Sequence, residues 1–180
     1  MRATLLWLVS FSALAMASVT SAAETEFQLA PRAGQGHLRI DIPQRGALTP
    51  DTFGAGVTAG LRTPIGIVLQ AGLDRFGHYT FFGLDEFRFD QEFVAAGYQF
   101  ELGNGWRVVP TGGWAYWKLD RFGILVRSRD EQSITGHDAF WGLSVSRRIS
   151  QRVALGAAYQ QGNYDFGRTR STTFMATFSF

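Results

Sequence analysis

The chain has 180 residues, with 17 basic side chains, 15 acidic side chains and no cysteine. This length suits one domain, and the absence of cysteine excludes disulfides. The near balance of charge gives no indication of nucleic-acid binding, so we expect no nucleic-acid partner. After residue 23, no apolar run approaches the roughly 20 residues that a transmembrane helix needs.

Residues 1–23 have the pattern of a secretory signal peptide. Arg2 supplies the positive charge, and residues 5–16 form an apolar stretch that is too short to span a bilayer. Ser21-Ala22-Ala23 then provides a cleavage site of small residues. We therefore expect the mature protein to be a single exported domain over residues 24–180.

The mature chain alternates with a period of two, which is the signature of β-strands. From Phe53 to Leu61 the odd positions are apolar, whereas the even positions between them carry glycine and threonine. Similar alternation recurs to the last residue. It predicts strands near 26–41, 52–62, 65–75, 87–100, 106–118, 138–149, 153–163 and 170–180.

The second face of these strands carries small residues, and the whole chain has one lysine, Lys118. A soluble β-sandwich would present a charged face to water, whereas small side chains suit the inside of a narrow barrel. In hydrocarbon a sheet must close on itself so that every backbone group is paired. We therefore predict an all-β fold, an eight-stranded antiparallel transmembrane β-barrel with up-and-down connections. Ten strands remain the alternative.

Short and long connections alternate along the predicted barrel. The short ones lie near 63–64, 101–105 and 150–152, and the long ones are expected at 42–51, 76–86, 119–137 and 164–169. Bacterial barrels have short periplasmic turns and longer outer loops. Aromatic residues are expected at both membrane boundaries. Tyr98, Phe100, Trp106, Phe178 and Phe180 fall near the periplasmic boundary, and Phe53, Trp114, Tyr116 and Trp141 fall near the outer one.

Several segments resemble the OmpA/OmpX-type family of small outer-membrane barrels. They are residues 97–100 (GYQF), 105–110 (GWRVVP), 141–149 (WGLSVSRRI), 159–167 (YQQGNYDFG) and the terminal Phe178-Ser179-Phe180. The resemblance implies a bacterial outer-membrane location, with lipid and lipopolysaccharide as partners. It also implies that Phe178 and Phe180 are read by the outer-membrane assembly machinery, although Met175 stands where glycine is common. Because the chain stops at Phe180, we expect no peptidoglycan-binding domain.

A polar cluster is predicted inside the barrel. It comprises Arg32, Arg62, Asp74, Glu92, Arg107 and Arg148. For Glu92 the alternation slips near residues 91–93, which leaves open the side of the strand on which it points. Charges in a narrow barrel must be paired or hydrated. Two interpretations follow: a polar plug that ties the strands together, or a narrow gated path for water or ions.

The predicted outer loops hold aromatic residues beside charged ones. The candidates for ligand binding are Phe76, Tyr79, Phe81, Phe82, Arg121, Arg127 and Arg129. Exposed apolar groups next to charge can bind lipopolysaccharide or a host surface ligand. Alternatively, the strands extend above the membrane and these side chains pack on each other.

Enzymatic chemistry has little support in the sequence. His37, His78 and His137 fall near the outer ends of strands, and none stands in a His-x-Ser pattern. We expect surface histidines, no catalytic residue, no metal and no cofactor. The predicted function is a structural or surface-interaction barrel; a small gated diffusion channel is the alternative, followed by a lipid A-modifying enzyme.

Overall fold

The structure is a computed structural model that describes residues 25–42, 46–79, 85–123 and 132–180. The predicted signal peptide lies outside these residues. Within them, no helix is long and apolar enough to cross a membrane.

Alternating residues form long antiparallel strands. In chain order the strands are β1 Glu26–Ile42, β2 Gly46–Leu48, β3 Asp51–Arg62, β4 Ile67–Tyr79, β5 Asp85–Tyr98, β6 Phe100–Gly103, β7 Trp106–Gly123, β8 Gln132–Arg148, β9 Val153–Tyr164 and β10 Gly167–Ser179. The short segments β2 and β6 continue β3 and β5 across brief interruptions. The barrel therefore has eight strands, as predicted.

The sheet closes because the first strand pairs with the last, Ala33 lying opposite Phe174. A row of paired residues that starts at Val145 on β8 runs once around the barrel and returns to β8 at Thr135. The row is thus displaced by ten residues. Such a stagger tilts the strands by roughly 35–45° from the barrel axis.

The turns at one end are short. Residues 104–105 join β6 to β7, and Gly103, Asn104 and Gly105 all have positive φ angles, which glycine and asparagine tolerate best. Residues 63–66 and 149–152 make the other short connections at this end. The beginning of β1 and the end of β10 also lie here, since Phe27 and Phe180 exchange backbone hydrogen bonds of 3.3 and 2.9 Å. We therefore call it the periplasmic end.

At the opposite, outer end the strands are longer than predicted. The expected loop at 164–169 is a tight turn at Asp165-Phe166, and most of the expected loop at 119–137 belongs to β7 and β8. The strands are longer because their backbone pairing continues past the point where the pattern of inward and outward side chains changes. Near the outer end the inward side chains become apolar and the outward ones charged, as in Phe87, Arg88, Phe89 and Asp90 on β5.

An apolar belt surrounds the part of the barrel nearer the periplasmic end. Leu69, Val94, Leu143 and Leu155 are all exposed outward. The nine aromatic residues predicted at the boundaries are exposed as well. A closed sheet with this much outward apolar surface is suited to lipid.

Candidate functional site

The outer end of the barrel interior holds an apolar cluster, which we call the outer plug. Its members are Leu38, Ile40, Phe76, Phe87, Phe89, Trp117, Leu119, Tyr164 and Phe166. The ring centroids of Trp117 and Phe166 are 4.8 Å apart, and those of Tyr164 and Phe166 are 5.5 Å apart. Two polar groups anchor it: Trp117 Nε1 donates to Asp138 Oδ2 at 2.7 Å, and Tyr164 Oη donates to Gln91 Oε1 at 3.1 Å.

Interior glycines make room for these rings. Trp117 lies opposite Gly136, where an added Cβ would sit 2.5 Å from the indole. Phe76 lies opposite Gly54, where an added Cβ would sit 2.4 Å from its ring. In the sequence, the small inward residues indicated a narrow interior. In the structure, they leave the space that the aromatic side chains occupy.

An ion pair lies just below the outer plug. Arg32 on β1 binds Asp74 on β4 through two contacts, one of them Nε to Oδ1 at 2.7 Å. The Arg32 guanidinium carbon also lies 4.9 Å from the centroid of Phe93, whose ring packs against Phe140 at 5.4 Å. This layer separates the plug from the polar interior beneath it.

The periplasmic part of the interior holds alternating charges. Arg62 lies 2.9 Å from Glu26 and 3.6 Å from Glu101, and Arg107 lies 3.2 Å from the same Glu101 oxygen. Between this cluster and the Arg32 layer lies a cavity of about 70 Å³, lined in part by Thr58, Ser146 and Thr177. That volume holds a few water molecules.

The predicted interior residues are therefore placed in different ways. Arg32, Asp74, Arg62 and Arg107 lie inside, in the two groups just described. Glu92 does not: it is exposed on the outer face opposite Tyr116, because the strand keeps its alternation through Gln91 and Phe93. Arg148 is also exposed, as the last residue of β8 at the periplasmic rim.

Sequence reasoning missed the two glutamates that neutralise the interior arginines. Glu26 is two residues before the inward Gln28, and Glu101 is two residues after the inward Gln99. Both continue the alternation of their strands: Glu26 is the first residue of the predicted strand 26–41, and Glu101 lies one residue beyond the predicted strand 87–100. Arg32, Arg62 and Arg107 are therefore matched inside the barrel by the three carboxylates of Asp74, Glu26 and Glu101.

Most of the predicted outer-loop candidates lie outside the described residues or side chains. Phe81, Phe82, Arg127 and Arg129 are in the first group. Tyr79 and Arg121 lie in the backbones of β4 and β7, and their side chains are not described. The structure corrects the prediction for Phe76, which is a buried member of the outer plug. Strand β4 continues through this position, and the side chain of Phe76 faces the barrel interior.

The outward side chains beyond the belt are charged. On β4, β5 and β7 they form ion pairs: Arg75 with Asp90 at 2.7 Å, Arg88 with Asp90 at 2.9 Å, and Lys118 with Asp120 at 2.8 Å. Burial opposes ionisation of Asp120, but hydrogen bonds from Lys118 and Ser133 and the charge of Lys118 outweigh it and lower its pKa. Each of these three cations thus contacts a carboxylate, and Asp90 is shared by two of them.

Two of the three histidines contact the same residue, Asp51. His37 Nδ1 lies 2.5 Å from the Asp51 carboxylate, and His78 Nδ1 lies 2.5 Å from the Asp51 backbone carbonyl. The ring of His137 lies 5.9 Å from that of Tyr116. At the other end, Phe180 is exposed and packs on Phe27 with ring centroids 6.1 Å apart.

Comparison with known proteins gives structural matches alone. No protein-family model matches the chain, and no curated protein matches its sequence. Neisserial surface protein A matches with a TM-score of 0.66 and 13% identity over 89% of this chain and 100% of that chain.

Two further matches have the same architecture. Ail of Yersinia pestis, in complex with the heparin analogue sucrose octasulfate, gives a TM-score of 0.61 and 16% identity over 87% of this chain and 99% of that chain. The N-terminal β-barrel domain of Pseudomonas aeruginosa OprF gives a TM-score of 0.55 and 13% identity over 87% of this chain and 100% of that chain. The chain thus has the fold of small eight-stranded outer-membrane barrels, as its OmpA/OmpX-type resemblance predicted.

Proposed function

We propose that this outer-membrane barrel works through its outer surface, as a structural and surface-interaction protein, and that it is neither a channel nor an enzyme. The outer plug carries this proposal. Trp117 and Phe89 are each 2% exposed within it, and their rings contact those of Tyr164 and Phe166. A solute that entered from the periplasmic end would meet an apolar barrier.

A small gated diffusion channel is the second candidate. It is favoured by the polar cavity beside Arg107 and by the alternating charges of Glu26, Arg62 and Glu101. Conduction would require both the Arg32–Asp74 pair and the packed rings above it to move aside. The cavity in the described structure is too small for more than a few waters.

The chemistry of the outer end supports an anionic surface ligand. The sequence places Arg127 and Arg129 in one predicted outer loop and Phe81 and Phe82 in another, so these loops carry both positive charge and aromatic side chains. Ail, of the same fold, is known in complex with a heparin analogue. We therefore propose a polyanionic host or surface glycan as the ligand to test first.

The ligand proposal is tested by binding to heparin. Purified protein in lipid nanodiscs is compared with a variant in which residues 124–131 are replaced by a short glycine–serine turn. We expect the loop variant to bind at least about tenfold more weakly. A shift in gel mobility between unheated and boiled samples checks that it still folds. Equal binding by the two folded proteins would contradict the proposal.

The channel alternative is tested by conductance across a planar bilayer. We expect no steady current from the natural protein. The double variant Phe89→Ala, Trp117→Ala opens the plug and is expected to increase leakage. Large, stable currents from the natural protein, abolished by Arg32→Gln, would establish the channel instead.

A further inference from the structure

The ladder between β1 and β10, which closes the barrel, is interrupted at Pro31. Pairing stops at Leu29, opposite Phe178, and resumes at Arg32, opposite Met175. The register is the same on both sides of the interruption, so no bulge accounts for it. We call these two unpaired positions the seam gap.

The absence of an N–H on proline explains the seam gap. Phe27 and Phe180 exchange both of their backbone hydrogen bonds, so every second facing pair along the same ladder has this arrangement. Pro31 and Ala176 face each other as such a pair, and Pro31 cannot donate. The Ala176 carbonyl therefore lacks the donor that β1 would supply. It lies within the apolar belt, where an unpaired backbone group is costly.

Pro110 interrupts a second ladder in the same way, but that interruption is covered. Pairing of β5 with β7 ends at Gly97, and it resumes in β6 at Phe100. The turn at residues 63–66 closes over this position, since the Gln99 N–H donates to the Gly66 carbonyl at 2.8 Å. The seam gap instead opens onto the outer face of the barrel.

An apolar groove lies over the seam gap on that outer face. It has a volume of about 760 Å³, and its lining includes Pro31, Ala33, Leu155, Ala157, Phe174 and Ala176. Most of these side chains are small, and Phe174 stands beside them with 76% of its surface exposed. The groove can therefore take up an apolar chain at the depth of the membrane hydrocarbon.

The polar cavity inside the barrel reaches the same gap from the other side. Ala30 and Thr177, the pair that faces inward at the seam gap, both line this cavity. Arg32 and Met175 line both the cavity and the groove. At this point the polar interior and the lipid-facing groove are thus separated by an incompletely paired seam.

Arg107 supplies a cationic donor to the cavity. It belongs to the row of facing residues that contains Arg32 and Met175, directly on the outer side of the seam gap. Its side chain is 5% exposed, and its Nε makes no hydrogen bond within the described residues, although a Glu101 oxygen lies 3.2 Å away. A buried guanidinium N–H without an acceptor favours an anionic group.

We propose that the β1–β10 seam binds a single-chain amphiphile with a small anionic head, of which a fatty acid is the simplest example. The carboxylate lies in the cavity beside Arg107, and the hydrocarbon chain leaves through the seam gap into the groove. A cavity of about 70 Å³ accommodates a carboxylate and excludes larger head groups. The gap of two facing pairs gives passage to one chain. Opening the seam at Pro31 also breaks fewer hydrogen bonds than opening any complete pair.

This site is separate from the proposed glycan site at the outer loops. The ligand enters from the membrane and stays below the outer plug, so the site needs no path across the barrel. Failure of heparin binding would leave this proposal standing, and the reverse also holds.

The first test locks the seam reversibly. The probe is palmitate that carries a photoreactive diazirine in its chain, added to purified protein in detergent micelles. The chain has no cysteine, so Ala30→Cys, Thr177→Cys introduces a single disulfide across the gap, between facing residues at a distance that a disulfide spans. We expect oxidation to reduce labelling of groove residues by about tenfold or more, and a reductant to restore it.

The matched control for the disulfide is Ala59→Cys, Ala71→Cys. These two alanines face each other across the uninterrupted ladder between β3 and β4. Its oxidation is expected to change the labelling by less than about twofold. The gel shift between unheated and boiled samples verifies that both variants fold. Undiminished labelling of the oxidised seam variant would overturn the proposal.

The second test restores the missing donor. Pro31→Val provides the N–H that pairs with the Ala176 carbonyl, and valine suits a strand. We expect labelling to fall by about fivefold or more, whereas Pro110→Val, at the covered interruption, changes it by less than about twofold. Equal labelling of these two variants would show that the seam gap is not the entrance.

The third test identifies the head group. Unlabelled palmitate is expected to compete with the probe at least about tenfold better than the corresponding alcohol or alkyltrimethylammonium ion. Arg107→Gln is expected to remove this preference for the acid. Equal competition by the acid and the alcohol in the natural protein, or labelling spread evenly around the apolar belt, would each contradict the proposed site.

Discussion

Arg32 and Asp74 join β1 to β4 across the inside of the barrel, over the strand that separates them. The guanidinium and the carboxylate make two contacts, and both side chains are nearly inaccessible, at 11% and 3% exposure. Gly56 on the intervening β3 leaves the space, since a Cβ there would sit 1.9 Å from an Asp74 oxygen. The pair holds three strands in register and forms the floor of the outer plug.

Removing one partner of this pair is expected to destabilise the barrel strongly. Asp74→Asn leaves the Arg32 charge buried without its counter-ion, which costs about 3–5 kcal/mol in the free energy of unfolding. The measurement is urea unfolding in lipid vesicles, followed by tryptophan fluorescence. Asp90→Asn removes a partner from the exposed Arg75 and is expected to cost less than about 1 kcal/mol. Similar losses for both variants would count against a structural role for the inner pair.

A second prediction concerns the packing of Trp117 on Gly136. Gly136→Ala places a methyl group against the indole, which Asp138 holds in position, and we expect a loss of about 1–3 kcal/mol. Gly112 is a matched control, because a Cβ there meets nothing within 4 Å. Gly112→Ala is expected to be neutral or stabilising by up to about 1 kcal/mol. If both alanines are tolerated equally in urea unfolding, the plug is not tightly packed at this point.

A third prediction concerns the lipid-facing surface. Leu143 is exposed on β8 within the apolar belt, so Leu143→Arg is expected to cost roughly 2–4 kcal/mol of folding free energy in a bilayer. His137 lies six residues nearer the outer end, beside Tyr116. His137→Arg is expected to change stability by less than about 1 kcal/mol, because its head group reaches water. The measurement is urea unfolding of both variants in lipid vesicles. If Leu143 does not face lipid, the two variants will lose similar amounts of folding free energy.

A fourth prediction concerns assembly in cells. Phe180→Asp removes an exposed aromatic residue at the periplasmic boundary and its contact with Phe27, and we expect less protein in the outer membrane. Phe180→Trp keeps an aromatic ring and is expected to assemble normally. The measurement is the amount of heat-modifiable protein in outer-membrane fractions. Normal assembly of the aspartate variant would show that the terminal residue is not read as a signal.

Glu92 shows where sequence reasoning reached its limit. The pattern of apolar and polar residues shifts by one position near residues 91–93, so the sequence alone left open the side of the strand on which Glu92 points. The strand is regular, and Gln91 and Phe93 both face inward. The apparent shift reflects the outer surface of the barrel. Glu92 lies at the boundary between the apolar belt, which faces lipid, and the outward charged side chains beyond it.

The sequence by itself determined the alternation along the strands and the barrel class, and it favoured eight strands over ten, because the direction of a side chain along a strand is a local property with a period of two. Only the tertiary structure decided which residues meet. Closing the sheet with a stagger of ten residues brings Arg32 to Asp74, Trp117 to the Asp165-Phe166 turn, and Arg39 to Arg168. The same closure sets the height of each residue relative to the membrane, and so decides whether an outward position faces acyl chains or water.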